Sequence, residues 1–411
     1  MSDPEMPELG VEQALTGLLE SLQPLPPEPV EVDDALGLVL AQAVLAGEDH
    51  PADDTSAMDG YAVHDFALRH ASPDQPVRLE IIEDIQAGYP PEREIREGEC
   101  SRISTGGLIP VGATAVEMRE YVTVEDDVAI FTRPLPAKSN IRFAGEHLRA
   151  GEEVLSPGTV LSSAELGMAA YLGVHELLCR PRLKVAILAT GSELVEQGAE
   201  LGRGQVRDSN GVALAGAVRQ LGCSVVHRQR VADQAEALDQ AIAHAVQQGA
   251  GILLTSGGIS AGWHDLVRER IENSGGRFVF HKLRMRPGKP IAFGRLRDML
   301  VFCLPGNPVS SLVSFEVFVK PALLKLMGQD PTPRTVQATL LEPVRKKRGF
   351  TVFFRVRVED GPEGKTARLS GPQGSHQLKS LVGANGLLVA GEEIEELSAG
   401  QQVEVRLTGP L

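Results

Sequence analysis

The chain has 411 residues, too many for a single hydrophobic core, and its 42% hydrophobic and 23% charged content is that of an ordinary globular protein of two to four domains. A formal net charge of −15 and only 4% aromatic residues argue against general affinity for nucleic acid or anionic membrane, and against an extended base-stacking surface. Cys100, Cys179, Cys223 and Cys303 form no C-x-x-C pair, no apolar run reaches the ~20 residues that span a bilayer, and no signal-peptide core is present. Free thiols and a cytoplasmic location are therefore expected.

Residues 11–22 carry apolar side chains at helical spacing and are stopped by the proline-rich run 22–30. Residues 31–46 read as a short helix and a strand. These pieces are too small to fold alone and should pack on something later in the chain. Residues 50–66 are polar and lead into a strand at 61–63; Asp53, Asp54 and Asp59 crowd the loop, whose plain reading is a solvated acidic turn. From residue 77 to 134, short β runs recur between Gly and Pro turns, a pattern that predicts a β domain over 47–139. Its Ser104-Thr105-Gly106-Gly107 turn offers backbone N–H and hydroxyl groups to an anion, although Gly-Gly turns are common. Residues 140–180 return to mixed character and, with residues 1–46, make a small mixed domain into which the β domain is inserted.

Residues 181–328 alternate apolar β runs with amphipathic helices, the pattern of an α/β domain with a mostly parallel sheet. Four of its β runs end in Gly-rich or Pro-Gly turns. At the carboxyl ends of parallel strands such turns present N–H groups to anions, so a phosphorylated or otherwise anionic small molecule is expected. Residues 329–411 are again β-like with polar turns and predict a C-terminal β-barrel or sandwich.

Within the central segment, Thr190-Gly-Ser-Glu193 closes the first strand, and Glu193 is placed to accept a donor from a heterocycle. Asp208 and Ser209 are good N-caps for the helix that follows. Asp233 is either an N-cap or a metal ligand. Ser256, Gly257 and Gly258 let backbone approach a ligand closely. Asp265 is either a helix N-terminal charge or, with Asp233, an oxygen ligand for Mg²⁺; Trp263 and His264 read as flanking residues. Lys282, Arg284, Arg286 and Lys289 put four cations within eight residues beside a Pro-Gly turn, a solvated basic loop or an anion pocket. Pro305 and Pro308 fix the next turn, ahead of Ser310 and Ser311 at a helix start.

Together, DDTSAMDGYAV, RISTGG, ILATGSEL, VRDSNG, LLTSGGISAGWHD, RMRPGKPIAFG, LPGNPVSSLVSFEVFVKP and SLVGANGLLVAG resemble the MoeA family of molybdopterin molybdenumtransferases, which includes the gephyrin and plant Cnx1 E domains. The resemblance runs in family order from about residue 10 to the end of the chain. It implies an elongated, four-domain homodimer whose central MogA-like domain binds molybdopterin, and a reaction of adenylylated molybdopterin with molybdate, dependent on Mg²⁺ and releasing AMP. Asp59 and Thr105 would act across the dimer. Glu193, Asp233 and Asp265 would form the acidic cluster, with Asp233 and Asp265 on the metal. Ser256, Gly257, Gly258, Lys282, Arg286, Lys289 and Ser375 would bind substrate, and Pro305, Pro308 and Ser310 would shape the molybdate side. A MogA-type adenylyltransferase and molybdoenzyme maturation factors are the implied partners, with neither nucleic acid nor membrane.

Two positions depart from the family pattern. Where members often carry R-x-[E]-[FY]-x-R, the stretch RGFTVFFR has Phe350 and Val352 and keeps Arg355, with Arg348 as a candidate substitute. Trp263 stands where an acidic residue is frequent. A dimeric scaffold, a tungstate-inserting paralogue and an adenylyltransferase are the alternative readings.

Overall fold

Strand and helix alternate along the central segment because its apolar residues switch between periods of two and 3.6. In the computed structural model, which describes residues 8–259 and 265–410, six strands form the central sheet. Their order is Ser224–Val231, Lys184–Thr190, Ile252–Ser256, Met299–Leu304, Ala292–Leu296, Arg277–His281. The first four run parallel and Ala292–Leu296 joins antiparallel. Successive side chains on the Lys184–Thr190 strand enter two different cores. Val185 and Ile187 pack with Leu214 and Val218 of the helix Asn210–Gln220. Ala186 and Leu188 pack with Leu238 and Ile242 of the helix Ala235–Gln247. Burial on both faces explains why these strands read as continuous apolar runs.

The helix Val11–Glu20 has no core of its own. Val11, Ala14, Leu15 and Leu18 are buried in the central-domain core, as the small size of the N-terminal pieces requires. Glu28–Glu31 and Val39–Leu40 flank Glu176–Arg180 in a three-stranded sheet, which draws both sides of the insertion together.

The C-terminal segment forms a closed five-stranded barrel. Thr351–Gly361 pairs with both Gly364–Leu369 and Gly386–Ala390, and Thr335–Leu340 and Gln402–Leu407 complete the ring. One excursion of the central domain joins it: Met285–Arg286 pairs in parallel with Thr351–Val352. Phe353 and Leu387 lie in the same core as Phe293 and Phe302, so barrel and central domain share buried surface.

By its internal contacts the chain divides into two compact units. One comprises residues 1–41, 158–163 and 176–411; the other comprises 42–157 and 164–175. The second holds the inserted β domain, a six-stranded sheet in the order Ala115–Met118, Gly60–Val63, Glu99–Ile103, Val77–Ile85, Val128–Phe131, Val122–Glu125. Glu117 is buried there and accepts two hydrogen bonds from Arg133, at 2.6 and 2.9 Å, which compensates its desolvation. All four cysteines are free and buried, and no described helix is long and apolar enough to cross a membrane.

Candidate functional site

Two cavities of the first unit meet at one residue. The first, of about 520 Å³, opens at the carboxyl ends of the parallel strands. Its base is glycine backbone by necessity. Gly257 sits at φ 94°, and a Cβ there would stand 2.3 Å from the Thr190 carbonyl oxygen; Gly258 sits at φ 64°, where a Cβ would meet Val267 at 2.4 Å. The Gly257 amide donates to the Leu304 carbonyl at 3.1 Å. Asn210 then ties two strand-end loops together, its amide donating to Ser256 Oγ and to the Gly306 carbonyl, both at 2.7 Å. Ser256 Oγ also lies 3.4 Å from the Pro305 carbonyl oxygen.

Exposed carboxylates of Glu193 and Asp233 line the same cavity, with Asp208 and Pro308. Of the two expected caps on the helix Asn210–Gln220, Asp208 makes the bond. Its Oδ1 accepts from the Gly211 amide at 2.8 Å, whereas Ser209 at the N-cap position makes no side-chain cap bond. Asp233 is not a cap. The helix after it starts at Ala235 with Gln234 at the N-cap, and the Asp233 amide donates to Ser192 Oγ at 3.2 Å, leaving its carboxylate to the cavity.

The second cavity, of about 480 Å³, is basic and lies between the central domain and the barrel. Arg286, Lys289 and Ser310 line it from the central domain; Lys346, Phe350, Arg355 and Ser375 line it from the barrel. Asn307 lines both cavities. Its amide donates to Ser375 Oγ at 3.1 Å, while the Val309 amide donates to the Ser375 carbonyl at 3.1 Å. Asn307 is also the N-cap residue of the helix Pro308–Ser314, on which Ser310 is buried. An Asn before a helix-starting Pro is a sequence signal that marks this position, but its reach to Ser375 is not local.

Arg355 is 1% exposed and has no carboxylate partner among the described residues. Its Nε donates to Ser380 Oγ at 3.2 Å, and one terminal nitrogen donates to the Pro372 and Gly374 carbonyls, both at 3.3 Å. Burial pushes its pKa down to about 10. Arg355 thus orders the loop that carries Ser375. Arg348, the candidate substitute, is exposed and pairs with Glu395 at 3.3 Å, and it is not part of the cavity lining.

The predicted residues do not all converge. Lys282 and Asp265 line a third cavity, of about 290 Å³, with Glu269, Glu272 and His281. Lys282 leaves its neighbours because its backbone is left-handed, at φ 57°. Asp265 is the N-cap of the helix Leu266–Asn273, accepting from the Arg268 amide at 3.2 Å, and burial raises its pKa. Asp233 and Asp265 therefore line different cavities, and no group of three His, Cys, Asp or Glu among the described residues could hold a metal by itself. Trp263 and His264 lie outside the described residues.

In the second unit the SAMDG and STGG stretches come together. Asp59 Oδ1 accepts from the Thr105 amide at 2.8 Å and from Thr105 Oγ1 at 2.9 Å, and Arg119 lies 3.9 Å from Oδ2. These hydrogen bonds, and then the Arg119 charge, hold the Asp59 carboxyl below its ordinary value.

Glycine-backed strand ends beside a basic cavity form a site suited to anions in an α/β domain. Similarity to known proteins narrows this class. Residues 9–173 match the MoeA N-terminal region (domain I and II), 186–325 a probable molybdopterin binding domain, and 337–408 the MoeA C-terminal region (domain IV). The chain is 38% identical over 393 residues to molybdopterin molybdenumtransferase 2 of Mycobacterium tuberculosis, covering 94% of this chain and 96% of that one. It is 35% identical over 402 residues to the molybdopterin molybdenumtransferase of Haemophilus influenzae, covering 97% and 98%. A crystal structure of a Pyrococcus horikoshii molybdopterin biosynthesis MoeA protein superposes with a TM-score of 0.83 at 30% identity, over 98% of this chain and all of that one. The chain belongs to the MoeA family.

Proposed function

We propose that this protein is a molybdopterin molybdenumtransferase of molybdenum cofactor biosynthesis, which inserts molybdenum from molybdate into adenylylated molybdopterin and releases AMP. The observation that carries the reading is the junction of two chemically different cavities at Asn307. The first suits the phosphorylated pterin: Gly257 and Gly258 admit it closely, and Glu193 offers an acceptor to ring N–H donors. The second suits a tetrahedral dianion, with Arg286 and Lys289 supplying charge and Ser310 and Ser375 supplying hydroxyls. Occupancy of both places the oxyanion beside the pterin's reacting end, which lowers the entropic cost of their encounter.

Asp233 fits a Mg²⁺ that takes its remaining ligands from substrate phosphate and water, as Mg²⁺ commonly does, rather than an all-protein cage. When bound, the ion would neutralise the phosphoanhydride as AMP leaves. Asp265 enters as the N-cap that fixes the helix after the Gly257–Gly258 turn. The adenylylated substrate requires a preceding adenylyl-transfer reaction, the role of a MogA-type partner. The reading includes the homodimer, in which Asp59, held ionised by Thr105, supplies an acidic group to the partner's site.

The test is AMP release from adenylylated molybdopterin at fixed Mg²⁺, with and without molybdate. Molybdate-dependent release is expected from the parent and is lost in Asp59→Ala, which remains folded and dimeric. Absence of release from folded, dimeric protein would favour a scaffold or an altered paralogue.

A further inference from the structure

The cations of the basic cavity are not equally available. Lys289 Nζ pairs with Glu8 at 2.6 Å, and Arg345 pairs with Glu396 at 3.0 Å. Lys346 Nζ reaches the Phe350 carbonyl at 2.9 Å and the Glu392 carbonyl at 3.3 Å. Arg355 is taken up by the carbonyls of its own loop. Arg286 has no carboxylate partner among the described residues. What faces it is the ring of Phe350, with the guanidinium carbon 4.4 Å from the ring centroid. The Lys289 ammonium lies 5.6 Å from the same centroid.

We infer that Phe350 is a positioning residue for oxyanion binding: its ring is a cation–π platform that holds Arg286, the cation without a carboxylate partner among the described residues, toward the cavity. The backbone brings them together, since Met285–Arg286 pairs in parallel with Thr351–Val352 and the Thr351 amide donates to the Arg284 carbonyl at 2.9 Å. A ring face orients a guanidinium without neutralising it, whereas a carboxylate would compete with the incoming anion. An Arg at position 350 would contribute a charge of its own; Phe350 contributes by steadying the Arg286 charge already present. The half-buried ring also removes water from one side of Arg286, which strengthens the guanidinium's attraction for an anion. This inference rests on the reading of the cavity as the molybdate site.

The experiment is calorimetric titration of the full-length protein with sodium molybdate, on the parent and on Phe350→Leu, Phe350→Tyr, Arg286→Gln and the Arg286→Gln/Phe350→Leu pair. Arginine-selective NMR reads the ring-current shift of the Arg286 side chain in parallel. Phe350→Leu is expected to weaken molybdate binding about five-fold and to abolish the ring-current shift, while Phe350→Tyr stays within about two-fold of the parent. In the Arg286→Gln background, Phe350→Leu should add less than about two-fold. Parent-like affinity in Phe350→Leu, or full additivity in the pair, would overturn the platform while leaving the molybdate site intact. Parent-like affinity in Arg286→Gln would instead overturn the assignment of the cavity itself.

Discussion

The two cavities that meet at Asn307 are built by different means. The glycine-backed cavity has a floor of backbone at Gly257 and Gly258, in loops that follow strands of one sheet, with the carboxylates of Glu193 and Asp233 in its lining. The basic cavity is made of side chains from two domains, and its charge depends on which cations have been neutralised by neighbours. Backbone-built sites resist change of ligand; side-chain-built sites are where one chain of a family departs from another. In this protein the departures at Phe350 and Val352 fall on the basic cavity.

Substitutions that act on only one cavity sharpen that contrast. The largest effect is expected from Gly257→Ala. Its Cβ would stand 2.3 Å from a carbonyl oxygen at a positive φ, so unfolding by urea should show a loss of about 3 kcal/mol, with the glycine-backed cavity distorted first. Arg355→Lys comes next, at about 2 kcal/mol, because an ammonium cannot reproduce the bonds to Ser380, Pro372 and Gly374. Molybdate affinity should fall with it while molybdopterin affinity holds, a split readable by titrating each ligand alone. Asn307→Ala touches both cavities and costs about 1 kcal/mol through the lost bond to Ser375. Both ligands should then bind a few-fold more weakly, and a change confined to one of them would separate the cavities.

The smallest effect concerns Asp59, in the other unit, which serves as a control. Because its folded-state pKa is depressed, the stability it contributes is present above its ordinary value and is lost as pH falls through the depressed one. The melting difference between the parent and Asp59→Asn should therefore stay constant from about pH 5 to about pH 8, a window that lies about one unit or more above the ordinary carboxylate value, and shrink only in stronger acid. A difference that varies across neutral pH would mean that Thr105 does not hold the carboxylate.

The contrast also explains what was readable in the sequence. The alternating periods of the central segment, the Gly turns at strand ends and the closing β segment are local signals, and the structure follows them. Asp59 and Thr105 became a pair only through the fold, since their hydrogen bonds link positions 46 residues apart. Lys282 lies four residues from Arg286 in the sequence, yet its left-handed backbone sends it to another cavity. Asn307 has an ordinary capping signature, and Asn210 follows the capping pair Asp208 and Ser209; neither signal says anything of the loops these two residues fasten. In the sequence Phe350 reads as the loss of a charge, because a cation–π contact depends on the pairing of Met285–Arg286 with the barrel and not on any spacing along the chain.

The most direct measurement is a crystal of this protein soaked in tungstate, with the anion located by its anomalous scattering. The account predicts a tetrahedral oxyanion bounded by Arg286, Lys289, Ser310 and Ser375. An ordered anion bound elsewhere, with that cavity holding only water, would contradict it.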